Sequence, residues 1–280
     1  AIPAPWRNPA DTLVVYTPAI PADNRVLSFF RDGGFRMLKR AALLGEITRR
    51  SKGLCFAGTH GKTTTSSMAA HIMNNCPVKV NAFLGGELRN YNSNFLLAPE
   101  SPYTVIEADE FDRSFHHLRP YVAVITSTDP DHLDIYGTEE AYLESFAHFT
   151  SLVQPSGALV IHTGLKLHPR PAEGVRVYSY SRDEGDFHAE NICRGEGEII
   201  FDFIYPGGRI DGISLGVPVE INIDNAIAAL AACWLTGDMD PQAAREAIGS
   251  FMGAKRRFEF RLKEAVSYTH LRAHETRHDL

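Results

Sequence analysis

Apolar residues in this chain gather in short, nearly continuous runs, and longer stretches with helical spacing lie between them. The runs at 54–57, 103–107, 122–126 and 158–162 have strand length and little polar interruption, as strands buried on both faces require. A further strand is predicted near 78–83, ahead of a loop at Gly85 and Gly86. Helices are expected after Gly61 and over 139–152. Upstream, a β-rich run at 13–16, a short helix over 26–30, a strand at 35–38 and an amphipathic helix over 40–49 read as the last βαβ unit of a Rossmann-like domain. After Val175 the pattern shortens. Alternating strands at 176–180, 187–192 and 199–205, with turns at 195–197 and 206–208, predict an antiparallel annex. An alanine-rich helix over 224–235 is followed by Gly237, and another over 241–248 opens at Pro241. The expected fold class is α/β: a P-loop-containing, mostly parallel sheet flanked by helices, with a small antiparallel annex, preceded by a remnant of a Rossmann-like domain.

One strand-to-helix transition carries chemistry. Leu54, Cys55, Phe56 and Ala57 run into Gly58-Thr59-His60-Gly61-Lys62-Thr63-Thr64-Thr65. A tight turn there aims backbone N–H groups and a helix N-terminus at an anion, and a lysine adds a full positive charge. The general P-loop pattern wants a glycine where Phe56 stands, so only the shorter Gly-x-x-Gly-Lys-Thr remains. The same residues also suit a plain glycine-rich turn with a solvated lysine.

Two other strand ends carry acids. Glu107-Ala108-Asp109-Glu110-Phe111-Asp112 follows one, and Thr126-Ser127-Thr128-Asp129-Pro130-Asp131-His132-Leu133-Asp134 follows another. Ligands of open α/β sheets bind outside the carboxyl ends of the strands. Mg²⁺ there takes one or two carboxylates beside phosphate oxygens and water. Each acid cluster taken alone also reads as solvated loop. The His132 imidazole is a more natural ligand for zinc or iron than for magnesium, and equally suits a surface position. His116 and His117 read as structural or solvent-facing.

Composition narrows the classes. The chain has 280 residues, enough for one large or two ordinary domains, and 44% of them are hydrophobic, enough to bury a core. A net charge of −6 argues against a nucleic-acid partner. The four cysteines lie far apart with no C-x-x-C pair, which fits unpaired thiols in a reducing cytoplasm and no zinc site. No apolar run approaches the ~20 residues of a membrane helix. The stretch 266–280 holds three histidines, shows no helix or strand period, and resembles the translation of a sequencing-library adapter; an artefactual or disordered tail is expected there.

The three segments at 58–65, 107–115 and 129–136, in this order and spacing, resemble the Mur ligase family. His60 and the run 114–118 fit those members that add L-alanine to UDP-N-acetylmuramate. Relatives acting later usually carry asparagine at the position of His60; the ligase that recycles a tripeptide shares the histidine but differs after Glu110, and stays open as the alternative. The resemblance implies ATP and Mg²⁺, amide-bond formation through an acyl phosphate, and a cytoplasmic enzyme of peptidoglycan precursor synthesis. It implies the end of a UDP-sugar-binding domain at 1–50, a central ATP-binding domain at 51–250, and a hinge into a C-terminal domain at 251–265.

By residue, the resemblance puts Gly58, Thr59, His60, Gly61, Lys62, Thr63 and Thr64 around the phosphates, with Lys62 on the β/γ-phosphates and Thr63 on Mg²⁺. Glu107 and His132 fall on positions that hold a second Mg²⁺, and Lys62, Glu107 and His132 are the expected catalytic set. Asn222 and Asn225 match a motif that contacts adenine, although Ile221 stands where relatives often have histidine; the two asparagines also suit a helix N-cap and first turn. Arg257, preferred over Arg256, matches a hinge arginine that reaches ATP. A P-loop kinase or GTPase would carry a strict Walker pattern or a guanine-reading Asn-Lys-x-Asp, and neither is found. By itself the chain is expected to bind ATP–Mg²⁺ without ligation.

Overall fold

The computed structural model describes residues 3–17, 20–255, 260–264 and 267–270. A 3₁₀ turn at Ala4–Arg7 precedes β1 (Leu13–Tyr16), α1 (Arg25–Asp32), β2 (Arg36–Lys39) and α2 (Arg40–Arg50). Next come β3 (Lys52–Ala57), α3 (Lys62–Asn75), β4 (Asn81–Leu88), β5 (Ser93–Leu96) and β6 (Tyr103–Glu107). A 3₁₀ segment at Phe111–His117 leads to β7 (Pro120–Ile125), α4 (Leu133–Tyr136), α5 (Glu139–Ser151), β8 (Ala158–His162) and β9 (Arg176–Tyr180). The remainder is β10 (His188–Gly195), β11 (Glu198–Tyr205), β12 (Gly208–Ser214), α6 (Ile221–Trp234), α7 (Pro241–Ser250), β13 (Phe260–Glu264) and β14 (Ser267–His270).

Seven strands form the main sheet in the order β5-β4-β6-β3-β7-β8-β9, and every pair is parallel except β4 with β5. The period of two along β3 explains why the sheet is covered on both faces. Leu54 and Phe56 point into one core with Met68 and Ile72 of α3 and Ile223 and Ile227 of α6. Cys55 and Ala57 point into the other, with Phe115 and with Tyr142, Phe146 and Phe149 of α5. Burial of a side chain such as Phe56 or Phe146 contributes about 1.5–3 kcal/mol. The first core continues into the annex through Phe201 and Phe203 of β11, so α6, apolar nearly all round, is enclosed between layers.

Four expectations need correcting. The strand at 176–180 is not in the annex: β9 pairs in parallel with β8 from Ala158↔Arg176 to His162↔Tyr180. It is the edge of the main sheet, exposed at Arg176 and Val177 and buried only at Tyr180, so it lacks the continuous burial of the central parallel strands. The annex is the antiparallel sheet β10-β11-β12. Gly85 and Gly86 lie inside β4 rather than in a loop after it. Ser267–His270, where no period is visible, pairs antiparallel with β13. Finally, α6 starts at Ile221, three residues early, so Asn222 and Asn225 both sit within the helix and neither caps it.

A buried polar knot ties α3 to its surroundings. The His71 ring lies between the Tyr91 hydroxyl (Nδ1···Oη 2.7 Å) and the Ser250 hydroxyl (Nε2···Oγ 3.0 Å). Burial pushes its pKa down to about 4. In the unfolded chain the ring titrates near 6.5, so between these values the unfolded state binds more protons and stability rises with pH. The stabilisation is complete above about pH 6.5 and is lost as pH falls towards 4. We expect urea unfolding to show stability falling by about 2 kcal/mol from pH 7 to 5 through this group. His71→Gln should remove that share of the pH dependence; an unchanged slope in the variant would contradict it.

Candidate active site

The order β6-β3-β7 places three strand ends side by side, and the phosphate-type loop leaves from the middle one. Beyond Ala57 the chain turns at Gly58 (φ +143°) and again at Gly61 (φ +84°), which caps α3 with no side-chain hydrogen bond. Both positions need glycine. A Cβ on Gly58 would come 2.1 Å from Thr126 Oγ1, and one on Gly61 would come 2.9 Å from Asn225 Oδ1. Lys62, Thr63 and Thr64 then open the helix, whose first-turn N–H groups lack intrahelical partners.

The loop after β7 forms one wall. The Thr126 hydroxyl donates to His60 O (2.5 Å), His60 N–H donates to Ser127 Oγ (2.7 Å), and Thr59 N–H donates to Ser127 O (3.3 Å). The Thr59 hydroxyl donates to Asp129 O (2.6 Å) and meets the Tyr142 hydroxyl of α5 at 2.8 Å. The other wall is α6. Asn225 Oδ1 accepts from the Thr65 hydroxyl (3.1 Å), Asn225 Nδ2 donates to Asn222 Oδ1 (3.0 Å), and Asn222 Nδ2 donates to Val217 O (3.0 Å). Both asparagines are buried with their amides engaged inside the protein.

Thr63 and Glu107 come together directly. The Thr63 hydroxyl donates to Glu107 Oε1 (3.0 Å), and Gly85 N–H donates to Glu107 Oε2 (2.9 Å). This contact explains the glycines inside β4, since a Cβ on Gly85 would lie 2.5 Å from the Glu107 carboxylate and one on Gly86 2.9 Å from Thr63 Cγ2. The Lys62 ammonium donates to Gly58 O (2.5 Å) and Glu110 Oε1 (2.8 Å), with Thr59 O farther off at 3.5 Å. Burial pushes the Glu110 carboxyl up, opposed by the Lys62 charge.

His132 is placed less closely. It takes a left-handed conformation (φ 51°) at the start of α4, its N–H donates to Asp131 Oδ1 (2.7 Å), and its ring stands edge-on to Phe111 at 5.2 Å. Its Nε2 lies 3.9 Å from Asp131 Oδ2. His60 Nε2 lies 3.7 Å from Asp129 Oδ2. Arg257 falls outside the described residues. Among the described residues no three His, Cys, Asp or Glu side chains are grouped to hold a metal by themselves. A cation here would draw on the Thr63 hydroxyl, one carboxylate and ligand oxygens, a hard-oxygen set that fits Mg²⁺.

Sequence reasoning missed Glu110 as the partner of Lys62, Gly85 as a ligand of Glu107, and Tyr142 as a support of Thr59. The acid run containing Glu110 was visible, but which acid faces the lysine depends on the turn after β6. A cavity of about 630 Å³ adjoins that turn, lined by Lys39, Arg40, Asp109, Phe111, Asp112 and Ile135 among others. Lys39 pairs with Asp112 (3.3 Å) and Arg40 with Asp109 (3.9 Å) at its edge.

With this geometry in hand, comparisons place the chain among known proteins. A family model described as the Mur ligase middle domain matches residues 56–233. The chain is 57% identical to the UDP-N-acetylmuramate–L-alanine ligase of Phocaeicola vulgatus over 258 residues, which is 92% of this chain and 56% of that protein. It is 58% identical to the enzyme of that name from Parabacteroides distasonis, again over 92% of this chain and 56% of the relative. A solved UDP-N-acetylmuramate–alanine ligase from Thermotoga maritima superposes with a TM-score of 0.75 at 25% identity, covering 90% of this chain and 57% of that one. The chain thus spans a little over half the length of the curated relatives it matches.

The glycine requirement at the loop can be checked by stability. Gly58→Ala should cost about 3 kcal/mol in urea unfolding, since the new Cβ meets Thr126 and the backbone sits at positive φ. Gly164→Ala, also at positive φ (86°) but with open space around it, should cost only about 1 kcal/mol. Equal costs would show that the loop is not tightly seated against the β7 end.

Proposed function

This chain belongs to the Mur ligase family, and from that premise we propose that it carries the nucleotide site of an ATP-dependent ligase joining L-alanine to the carboxylate of UDP-N-acetylmuramate. The observation that carries the proposal is the bonding of Thr63 to Glu107 and of Lys62 to Glu110 across two adjacent strand ends, with the β7 loop bonded to the same turn. We also propose the division into the end of a UDP-sugar domain over 1–50, an ATP-binding domain over 51–250 and a hinge over 251–265.

The chemistry defines what the residues must do. In the first step the acceptor carboxylate oxygen bonds to the γ-phosphorus as the bond to the ADP oxygen breaks, giving an acyl phosphate. In the second the alanine amine bonds to the acyl carbon, loses a proton, and inorganic phosphate leaves. A carboxylate and a triphosphate repel, so catalysis rests on neutralising and aligning them. The amides of Gly61–Thr64 cradle the phosphates, and Lys62 neutralises charge on the β/γ oxygens as it builds. Thr63 would hold one Mg²⁺ through its hydroxyl, and Glu107 and His132 would hold a second. The ions screen phosphate charge when bound.

The role of Asn222 and Asn225 begins with what they already do, which is to pin α6 against the loop. The exposed side chain of Ile221 at the start of α6 offers an apolar surface for the base, where relatives often have histidine. Arg257 would reach the nucleotide from the hinge. The cavity that adjoins the turn after β6, lined by Lys39 and Arg40 together with Asp109 and Asp112, is the proposed seat of the acceptor. No helix among the described residues is long and apolar enough to cross a membrane, and unpaired thiols at Cys55, Cys76, Cys193 and Cys233 fit the reducing cytoplasm proposed for the enzyme.

In the full-length protein, purified and supplied with UDP-N-acetylmuramate, L-alanine-dependent phosphate release should exceed release with the tripeptide. A preference for the tripeptide would assign the chain to recycling instead. Lys62→Ala should lower turnover by about 10²–10³-fold or more, and near-normal turnover would remove the loop from the mechanism. His132→Ala should raise the Mg²⁺ concentration needed for half-maximal rate; an unchanged magnesium titration would take His132 out of the metal site.

A further inference from the structure

Glu110 is buried more deeply than its pairing accounts for. Its side chain is 2% exposed, Oε1 accepts from Lys62, and Oε2 is buried with no hydrogen-bond partner. The groups facing it are Lys62 from α3, Asp109 from its own turn, Tyr136 from α4 and Tyr142 from α5. The Tyr136 hydroxyl is committed to the Glu110 backbone carbonyl (2.5 Å) and leaves the carboxylate untouched. Lys62 is therefore the cation bonded to this carboxylate among the described residues.

The ammonium of Lys62 has three N–H donors. Two make close contacts with Gly58 O and Glu110, and the third points to the more distant Thr59 O. Polyphosphate oxygens entering the loop compete for that ammonium, and their charge opposes the Glu110 carboxylate held beside it. A buried carboxylate stripped of its single cation is strongly disfavoured unless it becomes neutral. Burial already holds this carboxyl above the ordinary range with the lysine in place.

We propose that Glu110 is a positioning residue that holds Lys62 in the nucleotide-free loop and takes one proton from solvent when the phosphates draw the ammonium away. The exchange is balanced: a carboxylate becomes a carboxylic acid at Glu110, the buffer supplies the proton, and no other bond is made or broken. It supplies a reason for the orphaned Oε2, which can carry that proton without losing a bond. The proposal rests on the assignment of the loop to a nucleotide.

Isothermal titration of this chain with Mg²⁺-ATP at pH 7, 8 and 9, in buffers of different ionisation enthalpy, tests it. The wild-type chain should take up close to one proton per nucleotide, and its affinity should fall by up to tenfold per pH unit. Glu110→Gln, neutral from the outset, should show neither effect and bind at least as tightly at pH 8, while Glu110→Asp restores the pH dependence. Nucleotide binding with no proton uptake in the wild type would overturn the proposal while leaving the nucleotide site standing. So would Glu110→Gln binding more weakly with the same pH slope, because the acid would then stay ionised beside the lysine. No nucleotide binding by the wild type at any pH would refute the site itself, and this exchange with it.

Discussion

The parallel pairing of β3 with β6 on one side and β7 on the other is the constraint on which the rest of the site depends. It runs in register from Lys52↔Tyr103 to Phe56↔Glu107 and from Leu54↔Val122 to Ala57↔Ile125. Parallel strands end at the same edge, so three loops distant in sequence must emerge together. A one-residue slip of β6 would turn Glu107 to the opposite face and break its bond to Thr63. The two apolar cores, one on each face, hold that register because Leu54 and Phe56 cannot exchange places with Cys55 and Ala57.

The polar groups at this edge are held by one another before any ligand is considered. Thr126 and Ser127 bond the loop from the β7 side, Asn225 from α6, and Gly85 fixes Glu107 from β4. Glycine stands where a side chain would intrude on this network, at Gly58, Gly61, Gly85 and Gly86. Two of the four also take positive φ; the other two are selected by space alone. This network seats the turn, so the first-turn N–H groups of α3 already face outward for an anion, which is the condition for electrostatic catalysis.

Much of this was legible in the residues. The apolar runs of β3, β6, β7 and β8 located the sheet because strands buried on both faces lack a polar period. Gly58, Gly61, Lys62 and Thr63 announced the loop through residue types that few other local structures require together. What was not legible depended on tertiary neighbours. The edge strand β9 is exposed at Arg176 and Val177 and so lacks the apolar run of a central parallel strand, and β5 and β12 carry too short or too weak a pattern to stand out. Gly85 and Gly86 look like a loop until Glu107 and Thr63 are placed against them. Asn222 and Asn225 read as helix-start residues, yet the Asn225 amide serves Thr65 of the neighbouring α3, while that of Asn222 bonds Val217 O just ahead of α6.

The central claim is that the ends of β3, β6 and β7 surround a single triphosphate. A crystal structure of this chain with a non-hydrolysable ATP analogue and Mg²⁺ tests it most directly. The account requires the phosphates against the N–H groups of Gly61, Lys62 and Thr63, with one ion at Thr63 Oγ1 and a second at Glu107. A nucleotide seated elsewhere, or phosphates bound with Glu107 turned away from the second ion, would contradict it.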